Sequence, residues 1–190
     1  MKNQDNFRSG YAAIVGKPNV GKSTLLNNLV MRKIAAISSK PQTTRNKITG
    51  VVHFSGGQVI LLDTPGIHKA TSQFNQLMVK ASLSTYKDVD VILLVVDAKQ
   101  GFAENDLFVL DTLRSVESPK ILIINKIDLI SKQDLLSLIA EADEKSDFKE
   151  IVPVSALRSD GLKGLGQTIL KYLPEGPQYF PNDMLTDCSE

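Results

Sequence analysis

The sequence has no tryptophan, a single cysteine (Cys188) and only two histidines, His53 and His68. One cysteine cannot close an internal disulfide, so a disulfide-stapled scaffold is excluded and a reducing compartment is expected. Two histidines give no support for a metal cluster or a catalytic dyad. The longest purely aliphatic run, Val91–Val96, falls far short of the about 20 apolar residues that a bilayer crossing needs. The stretch from Met1 to Gly10 is polar and carries no apolar region of a secretory signal. No charge of one sign dominates either: Lys+Arg is 22, Asp+Glu is 21 and the net charge is +1, which argues against binding nucleic acid by bulk positive charge. What remains is ordinary: 42% hydrophobic and 23% charged residues in a chain of 190, enough for a real core and for one domain, two at most. A cytoplasmic location is expected.

Short apolar runs recur at Tyr11–Val15, Val59–Leu62, Val91–Val96, Ile121–Ile124 and Ile151–Val154. They are continuous rather than alternating, as strands buried on both faces are. Ile48–Phe54 is a further strand, and Gly56-Gly57 after it signals a tight turn into Val59, so that pair reads as an antiparallel hairpin at the sheet edge. Between the runs lie helical patterns at Lys22–Val30, Gln73–Tyr86, Glu104–Val116, Lys132–Glu141 and Leu165–Leu173. Alternating strands and helices predict an α/β fold, a mostly parallel six-stranded sheet with one antiparallel edge strand, covered on both faces.

Charge is uneven along the chain. From Asn6 to Leu62 there are eight basic residues and no acidic one; from Pro174 to Glu190 there are four acidic residues and no basic one. The first block reads either as a solvated basic face or as attraction for a polyanionic ligand. The second also holds three prolines and a glycine and reads as a linker beyond the domain.

Gly16-Lys17-Pro18-Asn19-Val20-Gly21-Lys22-Ser23 fits G-x-x-x-x-G-K-[ST], between a buried strand and a helix. Glycines let the backbone fold around phosphate oxygens with its N–H groups inward, and the helix N-terminus adds its positive dipole end. Lys22 is expected to reach the β/γ-phosphates and the Ser23 hydroxyl to ligate Mg²⁺; Thr24 follows in the same turn. Asn125-Lys126-Ile127-Asp128 follows a parallel strand, at the end where open α/β sheets bind ligands. A carboxylate at Asp128 accepts from guanine N1–H and the N2 amino group; adenine would leave it unpaired, which is costly. Asn125 either contacts the base edge or braces the phosphate loop, and the Lys126 stem can cover one ring face. Ser155-Ala156, after the next strand, offers a backbone N–H to guanine O6.

Asp63-Thr64-Pro65-Gly66 caps the strand Val59–Leu62. Its carboxylate can hold Mg²⁺ through water. The Gly66 N–H can bond a γ-phosphate, and departure of that phosphate frees the segment to relax. Thr43 and Thr44 offer a second hydroxyl for the metal, with Thr44 favoured. The catalytic set expected is therefore Lys22, Thr44 and Gly66, and the metal set Ser23, Thr44 and Asp63.

In this order, these segments resemble the translation-factor-related class of small GTPases over about residues 10–173. More narrowly, GKPNVGKST (Gly16–Thr24), PQTTR (Pro41–Arg45), DTPGIHK (Asp63–Lys69) and the tail Leu173–Glu190 resemble the Era-like family of bacterial GTPases. The resemblance implies a P-loop NTPase three-layer α/β/α fold and a role in small ribosomal subunit assembly. It divides the chain into a polar tail (1–9), a GTP-binding domain (10–173) and a linker (174–190) toward a KH-type RNA-binding domain. Contact with 16S rRNA is then an implication for the whole protein through that domain. Gly161-Leu162-Lys163-Gly164 matches the G-x-x-G of a KH loop, but its setting after Ser155-Ala156 belongs to the GTPase domain.

Many GTPases orient the attacking water with a Gln after D-x-x-G; here that position is Ile67, which cannot. Slow intrinsic turnover, on the order of 10⁻² s⁻¹ or below, is expected. A GTP-dependent RNA or ribosome tether with incidental hydrolysis is the alternative. Related GTPases with Asn at the position of Asn19 use it to hold K⁺ beside the phosphates; otherwise Asn19 serves only the loop's backbone geometry. A monomer is expected, and the resemblance allows peripheral association with the inner membrane, though no amphipathic basic helix or lipidation motif supports it.

Overall fold

A computed structural model describes residues 7–30, 34–35, 48–63, 86 and 88–181. The strands are β1 (Arg8–Val15), β2 (Ile34–Ala35), β3 (Ile48–Phe54), β4 (Gly57–Asp63), β5 (Val91–Asp97), β6 (Lys120–Asn125) and β7 (Glu150–Val154). The described helices are α1 (Lys22–Val30), α2 (Glu104–Leu113), α3 (Lys132–Lys145) and α4 (Leu162–Lys171), with a 3-10 turn at Ile127–Leu129. The helix expected over Gln73–Tyr86 lies outside the described residues, apart from Tyr86.

All six expected strands form. The order is β2-β3-β4-β1-β5-β6-β7; β1 runs parallel to β4 and β5, β6 runs parallel to β5 and β7, and β3 runs antiparallel to β4. The two-residue β2 pairs antiparallel with β3 and adds a short seventh strand outside it. Periodicity could not have revealed β2, since two residues carry no pattern.

The continuous apolar runs are explained by the layers. Along β5 every residue is buried, and odd and even positions face different cores. Val91, Leu93 and Val95 pack with Leu25 and Leu29 of α1 and with Leu165 and Ile169 of α4. Ile92, Leu94 and Val96 pack with Val109 and Leu113 of α2 and with Leu138 and Ala142 of α3. The sheet is thus the middle of three layers, and each helix buries one apolar stripe against it.

α3 begins at Lys132 as expected, capped by Ser131: its Oγ accepts from Asp134 N at 3.1 Å, and Asp134 Oδ2 accepts from the Ser131 hydroxyl at 2.7 Å. Other ends differ from the expected ones for local reasons. α4 begins at Leu162 rather than Leu165, because Gly161 takes the left-handed conformation (φ 76°) as its N-cap and Leu162 is itself buried. β1 begins at Arg8, inside the stretch expected as polar tail, because Arg8 and Ser9 are in register with Gly57 and Gln58.

Residues 174–181, expected as linker, are packed against the domain. Ser9 N donates to Pro174 O at 3.1 Å, Gly176 N to Phe7 O at 3.0 Å and Ser9 Oγ to Pro177 O at 2.6 Å. Gln58, fully buried on β4, accepts from Tyr179 N and Phe180 N (both 3.1 Å) and donates to Phe180 O at 2.7 Å. The Tyr179 ring stacks on Tyr11, centroids 6.0 Å apart.

Candidate nucleotide site

The carboxyl ends of β1, β5 and β6 carry the loop 16–21, Asp97 and the Asn125–Asp128 segment. Gly16 (φ 148°) and Gly21 (φ 97°) both need positive φ, and a Cβ on either would collide, with Val95 O and with Asn125 Nδ2 respectively. Those two glycines are therefore required by the fold of the loop as well as by any phosphate it holds. Asn19 is also left-handed (φ 64°), a conformation that Asn tolerates better than most side chains.

α1 opens at once: Leu25 N donates to Gly21 O at 2.8 Å, which leaves the first N–H groups of the helix directed at the loop's concavity. Lys22 Nζ donates to Gly16 O and Lys17 O, both at 2.6 Å, so its ammonium lies over the loop. Ser23 and Thr24 are exposed. Pro18, Asn19, Gly21, Lys22, Ser23, Thr24 and Lys126 line an open cleft of about 480 Å³.

The segments Asn125–Asp128 and Ser155-Ala156 are tied to this loop. Asn125 is buried; its Nδ2 donates to Val20 O at 2.8 Å and its Oδ1 accepts from Ala156 N at 2.9 Å. Of the two roles open to Asn125, bracing is the one observed. Of the backbone N–H groups that this segment was expected to offer to guanine O6, that of Ser155 donates to Asp160 O at 3.1 Å and that of Ala156 to Asn125 in this structure. Asn28 of α1 donates to Ala156 O at 2.6 Å, which fixes the same segment from the helix side. Lys126 (φ 67°) reaches back to Asn19 O at 2.7 Å and to Asp97 Oδ2 at 2.6 Å.

Asp128 sits in the 3-10 turn with its side chain 8% exposed. A hydrogen bond from the Ser155 side chain holds its carboxyl below the usual carboxylate value against the opposing effect of burial, and its own backbone N–H and Arg158, at 3.7 Å, add to the lowering. Ser155 thus has a partner the sequence did not reveal, the Asp128 carboxyl.

Lys17 was expected among the loop's ligand-binding residues. Its backbone belongs to the loop, but its ammonium turns inward: Nζ pairs with Asp106 Oδ2 of α2 at 2.7 Å, the two side chains being 7% and 0% exposed. The same carboxylate oxygen caps α2 by accepting from Ala103 N at 2.9 Å. Asp106 Oδ1 has no hydrogen-bond partner among the described residues. Part of the basic block in the first third of the chain is therefore neutralised inside the fold. Asp97, Asp106 and Gln58 carry no motif; their only sequence signal is a polar residue at a strand end, in a first helical turn or inside an apolar strand.

The residues expected as switch contacts, Thr43, Thr44, Thr64, Pro65 and Gly66, and with them Ile67 and His68, lie outside the described residues. β4 delivers the backbone of Asp63 beside Ile14 of β1, next to the loop. Among the described residues no group of three or more His, Cys, Asp or Glu side chains could hold a metal, and no helix is long and apolar enough to cross a membrane.

Comparison with known proteins places this geometry. GTPase Era of Geotalea uraniireducens is 48% identical over 187 residues, covering 98% of this chain and 63% of the relative. GTPase Era of Syntrophus aciditrophicus is 48% identical over 184 residues, covering 97% of this chain and 60% of the relative. The chain thus spans less than two thirds of the length of these relatives. Among solved structures, a variant of Aquifex aeolicus Era bound to GDP.AlF4⁻ superposes with a TM-score of 0.79 at 43% identity, covering 96% of this chain and 63% of that one. Era in complex with MgGDPNP and nucleotides 1506–1542 of 16S ribosomal RNA superposes with a TM-score of 0.80 at 44% identity, with the same coverage. A family model described as 50S ribosome-binding GTPase matches residues 11–126, more than half of the sequence, and the chain belongs to that family.

Proposed function

We propose that the chain binds guanine nucleotides and slowly hydrolyses GTP to GDP and phosphate, as the nucleotide-dependent switch of a longer protein. The observation that carries this reading is the junction of phosphate loop and base reader: Asn125 and Lys126 hydrogen-bond the carbonyls of Val20 and Asn19, so the two halves of a nucleotide site share one scaffold. Phosphoryl transfer needs positioning and charge more than covalent chemistry. The Lys22 ammonium and the N–H groups at the start of α1 supply positive charge where β- and γ-phosphates would lie. Asp128 accepts from the guanine edge, and the Lys126 stem covers one face of the ring. Thr44 and Gly66 are the proposed switch contacts to metal and γ-phosphate.

The donor set suits Mg²⁺. A hydroxyl at Ser23 opens on the cleft, and Mg²⁺ takes few protein ligands, keeping waters and substrate phosphates as the rest. Ser23, Thr44 and Asp63 would hold it, and bound there it would offset charge on the phosphates. We propose in addition a K⁺ beside Asn19; equal GTP hydrolysis in KCl and NaCl would remove that ion from the scheme.

For the whole protein we propose a role in small ribosomal subunit assembly in the cytoplasm. It follows the relatives named GTPase Era and the Era structure holding 16S rRNA nucleotides, rather than the large-subunit wording of the broader family description. A domain beyond residue 190 would make the RNA contact, with residues 10–173 as the nucleotide domain, working as a monomer. Competition of GDP, GTP and ATP against a fluorescent guanine nucleotide, with Mg²⁺, tests the core of the proposal. Micromolar or tighter displacement by GDP and GTP with none by ATP is expected; equal displacement by ATP would overturn the reading of Asp128.

A further inference from the structure

Asp97 is the last residue of β5, in register with Asn125 of β6, and only 3% exposed. A carboxylate at that depth needs partners, and among the described residues it has three. Oδ1 accepts from the backbone N–H of Lys99 at 2.9 Å; Oδ2 accepts from Gln100 Nε2 at 3.3 Å and from Lys126 Nζ at 2.6 Å. The first two come from the turn that follows β5, so the orientation of the carboxylate is set by its own loop. Only the third leads toward the cleft, where the same Lys126 ammonium also donates to Asn19 O at 2.7 Å.

From this arrangement we infer that Asp97 is a positioning residue for the nucleotide cleft: it anchors the Lys126 ammonium on the phosphate loop and so sets how long a guanine nucleotide stays bound. The inference rests on the guanine-nucleotide reading above and adds a residue to it. A lysine side chain is long and strongly hydrated, and left alone its ammonium turns to water. Lys126 is 30% exposed, so water is within its reach. A carbonyl alone is a weak anchor for it; a charge-assisted bond to a fixed carboxylate is a strong one. With the ammonium held at both Asp97 and Asn19, the stem of Lys126 lies as a wall of the cleft, and the loop at Asn19 is held to the base-reading segment. Neither effect requires Asp97 to touch the ligand.

The test is the dissociation rate of a fluorescent GDP from four forms of the chain: unaltered, Asp97→Asn, Lys126→Met and the double variant. Asn at position 97 keeps an acceptor for the Lys99 N–H and loses the charge. It is expected to speed release on the order of tenfold. Lys126→Met is expected to do so at least as much. If Asp97 acts through Lys126, adding Asp97→Asn to Lys126→Met changes the rate less than twofold; a general loosening of the β5 end would instead multiply the two effects. Release from Asp97→Asn at the unaltered rate, or multiplied effects in the double variant, overturns the inference while leaving guanine binding intact. Failure of the unaltered chain to hold GDP overturns both readings. Should Asp97→Asn alone not fold, the double variant removes both charges and leaves neither unpaired, and its comparison with Lys126→Met alone decides the matter by the same criterion.

Discussion

On the proposed reading the Asp128 carboxylate reads the base and must stay charged, and a hydrogen bond from the Ser155 side chain, with a smaller effect of Arg158, lowers its pKa. Because its pKa is depressed, the ionised form persists as pH falls through the usual carboxylate range near 4, and the proposed guanine recognition would be lost only below it. GDP affinity is therefore expected to stay level from neutral pH down to about 5, as followed by fluorescence titration, with no acid limb from this group in that range. Replacing Asp128 by Asn exchanges an acceptor pair for a donor and an acceptor. Two charge-assisted bonds to guanine are lost, and affinity for GDP should fall by on the order of a hundredfold or more while xanthine nucleotides gain; an unchanged GDP-to-XDP ratio would show that Asp128 is not the base reader. The loop 16–21 and the segment Asn125–Asp128 were legible in the sequence as segments at strand ends, because each is a short run with a recognisable pattern. Asp97 and Asp106 were not, because their task is set by lysines 29 residues ahead and 89 residues behind in the chain, and only the fold brings those partners together.

At the scale of elements, the strands were legible because a sheet buried on both faces writes continuous apolar runs that survive any detail of packing. Ends were less so, since a cap such as Gly161 acts through backbone conformation and leaves no mark on apolar spacing. The strap of residues 174–181 escaped for a related reason. Its three prolines and one glycine are those of a linker, and the side chain that holds it, Gln58, lies on a strand 121 residues earlier. A buried amide inside an apolar strand is costly unless satisfied, and the backbone of Tyr179 and Phe180 satisfies it. Gln58→Leu removes these bonds while roughly keeping volume, and leaves the strap's N–H groups without a partner. The expected result is release of the strap, seen as faster amide exchange and protease cleavage around Tyr179 and Phe180, with a loss of about 1–3 kcal/mol in unfolding free energy. Unaltered exchange there would mean that the Ser9 hydrogen bonds and the Tyr11–Tyr179 stack hold the strap without Gln58.

For the molecule as a whole, the balance of charge is misleading if read as a sum. A net charge of +1 hides a first third rich in lysine and arginine, and within it Lys17 is spent on Asp106 while Lys22 faces the cleft. The site therefore depends on how few charges are placed rather than on how many there are. Its lining is tied by hydrogen bonds to Asp97 of β5, Asn125 of β6 and Ala156 after β7, so a ligand bound there is expected to stabilise the domain as a unit. Ligand at a hundred times its dissociation constant adds about 2.7 kcal/mol to stability. In a chain of this size each kcal/mol moves the melting temperature by roughly 2–4 °C. GDP at that concentration, with Mg²⁺, is expected to raise the melting temperature by about 5–10 °C in a calorimetric or fluorescence scan, and GTP by a similar amount. ATP at the same concentration should leave it unmoved, since the Asp128 carboxylate would be desolvated against a base edge that offers it no donor pair. A rise with ATP equal to that with GDP would show that the phosphate loop alone carries binding, and that the brace from Asn125 and Lys126 serves the loop rather than the base.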